Sequence, residues 1–188
     1  MKRSAKTLLG ACLILAAAGC NSNKDKFPAH VTGYKPLYVK PDKLSAMIYT
    51  TGPIDLKQPG QLYIKDNYIY LNEVDQGVHV INNTNPEAPV REAFIKIPGN
   101  QHIAIKDHTL YANLPTGIVI IDISDPKQAT AKNYIKDNNA NSATPASVPD
   151  RYVDPKSNRT YFECVDDTKG IVIGWEKTDL DHPNCFIK

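Results

Sequence analysis

The chain has 188 residues, 41% hydrophobic and 22% charged, a composition that excludes wholesale disorder and a polytopic membrane protein. Its formal charge is +2, but Lys2, Arg3 and Lys6 precede any acid, so +2 less those three leaves −1 for a chain starting after residue 19. That balance argues against a nucleic-acid binder, which carries a clustered basic face.

Residues 1–7 are cationic, and Leu8 to Ala18 is an uncharged run of eleven residues. At ~1.5 Å per residue this run crosses only about half of a ~30 Å hydrocarbon core, so it reads as a secretory signal and not as a spanning helix. Its end, Leu15 to Cys20 with Ala18 and Gly19 in the small-residue slots, resembles the lipobox of bacterial lipoproteins. The resemblance implies that residues 1–19 are removed and that Cys20 carries acyl chains. Several chains anchor durably where one is marginal. The plainer alternative is a signal peptide with a cysteine near its cleavage site. Cys12 is an apolar filler lost with the signal. Asn21 stands where an inner-membrane retention signal often has Asp, which favours the outer membrane.

Residues 20–58 read as a lipidated cysteine followed by a tether broken by Pro28, Pro36, Pro41 and Pro53. Within it, Asp42 is placed to cap a short helix over 42–48 that puts Leu44, Met47 and Ile48 on one face.

The body, residues 59–188, repeats itself. Gln61–Leu71 (QLYIKDNYIYL) returns as His102–Ala112 (HIAIKDHTLYA) at an offset of 41, and Gly77–Pro86 (GVHVINNTNP) returns as Gly117–Pro126 (GIVIIDISDP) at an offset of 40. A third, worn copy runs through Arg159–Cys164 and Gly170–Trp175. Leu62, Ile64, Ile69 and Leu71 alternate with Tyr63, Lys65, Tyr68 and Tyr70, the period of a strand, and Lys65-Asp66-Asn67 supplies a hairpin turn. Ile118 to Ile121 is apolar throughout, which suits a strand buried on both faces. Asn85-Pro86 and Asp125-Pro126 force turns. Closing strands are expected over Glu92–Ile97 and Lys132–Lys136, so the units lie at about 59–99, 100–137 and 150–188.

The strands Val78–Asn82 (VHVIN) and Ile118–Asp122 (IVIID), followed by Ser/Thr and Pro, resemble the LVIVD repeat of bacterial and archaeal surface proteins. The run from Pro59 to Pro126 and the stretch Tyr161–Cys185 are similar to repeat-bearing lipoproteins of Bacteroidetes. The resemblance implies an all-β fold of propeller-blade-like units and an envelope location, and it carries over no activity and no binding residue. Propellers close with about four to eight blades. Two clear units and a worn third therefore predict an incomplete propeller, open or closed by other copies, with edges left for a partner.

Candidate chemistry is sparse. Cys164 and Cys185 read as a disulfide in an oxidising compartment, with two free thiols, or Cys164 as a nucleophile using His182, as the alternatives. His30, His79, His102, His108 and His182 have no zinc spacing, and no cofactor is predicted. Asp122/Asp125 and Asp166/Asp167 sit at turns, where Asp caps backbone amides, with a calcium site as the sharper reading. Tyr63, Tyr68, Tyr70 and Tyr111 satisfy β-propensity and also suit glycan or protein recognition. Residues 137–149 form a long polar, Pro-bearing loop with almost no apolar residue for a core, which predicts that it is dispensable for folding. The expectation is a lipid-anchored, non-enzymatic binding or scaffold module for a protein or glycan partner, attached to the membrane through Cys20 and open to homo-oligomerisation. A hydrolase with a site assembled only by the fold is the alternative.

Overall fold

The computed structural model describes residues 27–188; the expected signal segment and Cys20 lie outside the described residues. In chain order the elements are β1 (His30–Val39), α1 (Pro41–Met47), β2 (Tyr49–Thr51), β3 (Pro59–Lys65), β4 (Tyr68–Glu73), β5 (Gly77–Asn82), β6 (Val90–Lys96), β7 (His102–Lys106), β8 (Thr109–Leu114), β9 (Gly117–Asp122), β10 (Thr130–Lys136), β11 (Thr160–Phe162), β12 (Ile171–Asp181) and β13 (Cys185–Ile187). They form three open sheets, ordered β2-β6-β5-β4-β3, β10-β9-β8-β7 and β12-β1-β11-β13. The fold is all-β, and no described helix is long and apolar enough to cross a membrane.

The two clear repeats make the first two sheets. Each opens on a hairpin whose turn Asp, Asp66 or Asp107, takes φ 52°, a left-handed conformation that Asp tolerates because its short side chain bonds locally. Each next strand starts on a glycine, Gly77 or Gly117. A Cβ on Gly77 would lie 2.0 Å from the Ile95 carbonyl oxygen, and one on Gly117 would lie 2.3 Å from that of Ile135. The ladder to β6 or β10 therefore closes only over a bare Cα.

Three expectations need correction. The third sheet is not a consecutive antiparallel unit, because β1 inserts into it. β1 runs antiparallel to β12 from His30↔Asp181 to Val39↔Ile171, and parallel to β11 at Tyr34↔Phe162. Ten residues of the expected tether are thus a central strand, and residues 30–51 are built into the domain. The reason is pairing: β11 has only three residues, and β12 would otherwise be an eleven-residue edge.

The second correction concerns which face is inside. Tyr70 is buried at 3%, and Tyr63 and Tyr68 pack on the core, while Leu62 and Ile64 are 52% and 66% exposed. Likewise Ile118-Val119-Ile120-Ile121 is buried on one face only, through Val119 and Ile121. The core lies between the first two sheets, where Val78, Val80 and Ile95 meet Leu110, Ala112 and Ile121.

The third correction concerns the 137–149 loop. It forms two short 3₁₀ turns, Ala140–Ser142 and Pro145–Ser147, which bury Ala140 and Pro145 against the body. The loop is packed and is not a free excursion.

Helix α1 covers the expected stretch and buries Leu44. Its N-cap is Lys40, with no side-chain cap, so Asp42 is not the capping residue. Pro41 starts the helix, where a missing N–H costs nothing, and Asp42 lies in the first turn, facing the positive end of the helix dipole. Cys164 and Cys185 form a disulfide, with Cα atoms 5.2 Å apart. It joins the residue just past β11 to β13, beside the register pair Phe162↔Cys185.

Candidate functional site

Buried polar side chains concentrate at one place, where β4 turns into β5. Asn72, Glu73, His79 and Asn100 are each 0% exposed. His79 Nε2 lies 3.0 Å from Glu73 Oε2, and the Phe94 ring packs edge-on to the imidazole at 4.9 Å between centroids. Glu73 also accepts the backbone N–H of Lys57, at 3.1 Å to one oxygen and 3.2 Å to the other, and that of Gln58. A hydrogen bond donated from Nε2 to this carboxylate leaves Nδ1 as the ring atom without a partner. Asn100 donates to Asn72 Oδ1 and, at 3.2 Å, to the Gly77 carbonyl. Asn72 in turn donates to the Gln101 carbonyl at 2.8 Å.

The sister unit carries no counterpart of this cluster. In the β4–β5 ladder Leu71 faces His79 and Glu73 faces Gly77; in the β8–β9 ladder Ala112 faces Val119 and Leu114 faces Gly117. The structural equivalents of Glu73 and His79 are therefore Leu114 and Val119, both 1% exposed. Burying ionisable side chains gives less stability than burying well-packed apolar groups of similar volume. One unit carries the ordinary solution and the other carries a polar one.

What the polar cluster holds is the wall of a cleft of about 580 Å³. The cleft lies between the β4–β5 turn (Val74), the β8–β9 turn (Pro115), the entry to β7 (Gln101, His102), Gln58, and the loop residues Ser142 to Ser147. Glu73 fixes the backbone of Gln58 and Asn72 fixes that of Gln101. The Gln101 side chain then reaches across to donate to Ser147 Oγ at 2.7 Å, tying the loop to the sheets. The lining consists of amides, hydroxyls, an imidazole and small apolar groups, with no carboxylate, Lys or Arg. Such a surface donates and accepts hydrogen bonds without attracting either sign of charge.

On the other side of the same turn, Asp75 takes φ 63°, and one of its carboxylate oxygens is buried without a partner. Burial pushes its pKa up from 3.8 to about 6. Asp75 lines a second cleft of about 350 Å³ with Tyr49, Thr51, Ile54, Phe94 and Lys96. Lys96 Nζ there donates to the Tyr49 hydroxyl at 3.2 Å.

The other sequence candidates stand apart. His30 pairs with Asp181 at 2.6 Å on the surface, near the His182 ring, and His108 is exposed beside a turn. Asp122 caps the Ser124 amide at 2.9 Å, and that bond with the Lys132 ammonium draws its pKa down to about 2. Asp125 caps Lys127, and Asp166 caps Thr168. Among the described residues no three His, Cys, Asp or Glu side chains converge as a metal ion requires. Cys164 is disulfide-bound, so its sulfur is not a free thiol for His182 to activate. Of the sequence-stated histidines, His102 reaches the cleft and His79 backs it.

Gln58, Asn72, Glu73, Asn100 and Gln101 match no motif. Their signal was the slip between offsets 41 and 40. Three residues, Val74-Asp75-Gln76, join β4 to β5, whereas two, Pro115-Thr116, join β8 to β9. No family profile, no curated protein and no solved structure matches the chain.

Proposed function

We propose that this chain is a cell-envelope lipoprotein anchored through Cys20, and that it is a non-enzymatic binding module whose ligand is a neutral glycan seated in the cleft beneath residues 137–149. Its LVIVD-like units act in this reading as blades of an incomplete propeller, displaying the cleft at the ends of their strands. The observation that carries the reading is the uncharged amide and hydroxyl lining, pre-positioned by a buried network that the sister unit lacks. Glu73 and His79 have acid–base chemistry, but both are wholly buried, Glu73 holding the Lys57 and Gln58 amides and His79 bonded to Glu73. Hydrogen bonds set before binding reduce the ordering cost of a polar ligand.

The test is calorimetric titration of purified protein with neutral and acidic envelope oligosaccharides, repeated with Gln101→Ala and His102→Ala. Binding of neutral glycans that either substitution weakens by about tenfold or more is the expected result. Absence of binding, or binding untouched by both substitutions, would refute it. A hydrolase is the second reading, and Asp75 favours it: a carboxyl pushed up to about 6 by burial, lining one cleft with Lys96 and Tyr49, is suited to general acid–base chemistry. Turnover of glycan, ester or peptide substrates that Asp75→Asn abolishes would establish that reading instead.

A further inference from the structure

The third sheet has two ends, and they meet different surroundings. At one, Tyr38↔Val172 and Val39↔Ile171 bring β1 and β12 against the second sheet, where the Val172 N–H donates to Thr116 Oγ1 at 3.1 Å. Thr116 belongs to the β8–β9 turn, and its neighbour Pro115 lines the cleft beneath residues 137–149. At the other end the ladder closes at His30↔Asp181. The chain enters the fold there, with the His182 N–H donating to the Ala29 carbonyl at 2.8 Å. The ten residues of β1 separate the two ends by about 30 Å, so the cleft lies far from the point of entry.

The His30 end carries an aromatic and basic surface. Phe27 is 39% exposed, its ring 5.7 Å from that of Phe186, and the Arg159 guanidinium lies 4.0 Å over the same Phe186 ring. Lys156, in the turn that Arg159 closes before β11, and Lys188, just past β13, are both exposed. Asp181 is exposed here as well, but it is paired with His30 at 2.6 Å. Exposed rings bordered by basic side chains suit the headgroup boundary of a bilayer, where apolar burial and attraction to anionic lipids add together.

We propose that this end of the third sheet, through Phe27, Phe186, Arg159, Lys156 and Lys188, is seated on the leaflet that holds the Cys20 acyl chains, so that β1 stands off the membrane and carries the cleft at its far end. The inference rests on the anchoring through Cys20 and names the second contact that the anchored domain makes. The occupant follows from chain length. The seven steps from Cys20 to Phe27 reach at most about 25 Å, less than the length of β1, so this is the end that the tether keeps near the leaflet. Acyl chains alone leave a domain free to turn about its tether. An aromatic contact beside the tether gives it one orientation, and the cleft is then held clear of the headgroups.

The test uses the full-length protein, processed in cells, purified in detergent and reconstituted in vesicles of phosphatidylethanolamine and phosphatidylglycerol with brominated or unbrominated acyl chains. Intact mass spectrometry reads the lipid on Cys20. Phe27→Trp places an indole in the proposed seat and Lys40→Trp places one at the far end of β1; the emission that each adds to that of Trp175 is measured. Both sites are exposed, so circular dichroism should match wild type, and Phe186→Trp takes the place of Phe27→Trp if that variant misfolds. Brominated chains are expected to remove most of the emission added by Phe27→Trp and to leave that of Lys40→Trp unchanged. Equal quenching at the two sites, or none at Phe27→Trp, with Cys20 acylated, would overturn the seat and leave the anchoring reading standing. Absence of the acyl mass would overturn the anchoring reading, and the seat with it.

Discussion

Replacing Glu73 and His79 by the residues of the sister unit, Leu and Val, tests whether the polar cluster serves the fold or the cleft. Glu73→Leu alone leaves a fully buried imidazole whose Nε2 has lost its partner, and removes the acceptor for two backbone amides. His79→Val alone leaves a fully buried carboxylate held only by the Lys57 and Gln58 amides. Breaking one side of a buried pair costs about 3–5 kcal/mol, most of it the desolvation of what remains. The double substitution removes both ionisable groups and restores the apolar pair found at Leu114 and Val119. Lys57 is exposed and Gln58 half-buried, so their freed amides can turn to water. The double variant should therefore lie within about 1–2 kcal/mol of wild type, giving a coupling of several kcal/mol in a double-mutant cycle. Urea unfolding of the four proteins, with the disulfide intact in all, measures it. Loss of Gln58 positioning should weaken ligand capture in the double variant even though stability has returned. Additive single effects, or singles costing under about 1 kcal/mol, would show that the pair is not the coupled unit described above.

Gly77→Ala should destabilise by about 3 kcal/mol or more, because its methyl group would meet the Ile95 carbonyl at 2.0 Å on a backbone held at φ +149°; chemical denaturation reads this directly. Asp75 has its folded-state pKa raised from 3.8 to about 6, so the stability linked to its neutral form is complete below about pH 4 and lost as pH rises through 6. Asp75→Asn should accordingly stabilise the protein at pH 7.5 by about 1 kcal/mol, after discounting for the solvent that still reaches the group, with the gain vanishing at pH 4 in melts across that range. Loss of the Cys164–Cys185 bond, by Cys164→Ser with Cys185→Ser, should cost about 3 kcal/mol for a loop of this length, and neither thiol should alkylate in protein isolated from cells without reductant and analysed by mass spectrometry. Cys20→Ala should abolish incorporation of a fatty-acid probe in cells; equal labelling of wild type and variant would defeat the lipobox reading.

Much of the local structure follows from the sequence alone because local sterics decide it. Period-two alternation over Leu62–Leu71, the Asp66 and Asp107 turns and the two-unit repeat all depend on neighbours a few residues apart, and each is found where the residues imply. Alternation, however, says that a strand has two faces and is silent on which one another sheet will cover. Tyr70 went inside and Ile64 outside because the second unit packs on the tyrosine side. The placement of β1 between β11 and β12 joins residues more than 120 positions apart, and nothing in a Pro-broken stretch of thirty residues announces a strand partner at the far end of the chain. The cleft was illegible for the same reason: Gln58, Gln101 and Ser147 carry no motif, and only the close approach of two turns and a loop sets them around one space. A single sequence feature pointed there, the extra residue between Glu73 and Gly77. Its meaning emerged only once the ladders aligned Glu73 with Leu114 and His79 with Val119, since a residue's chemistry is written in the chain but its burial is decided by whatever folds against it.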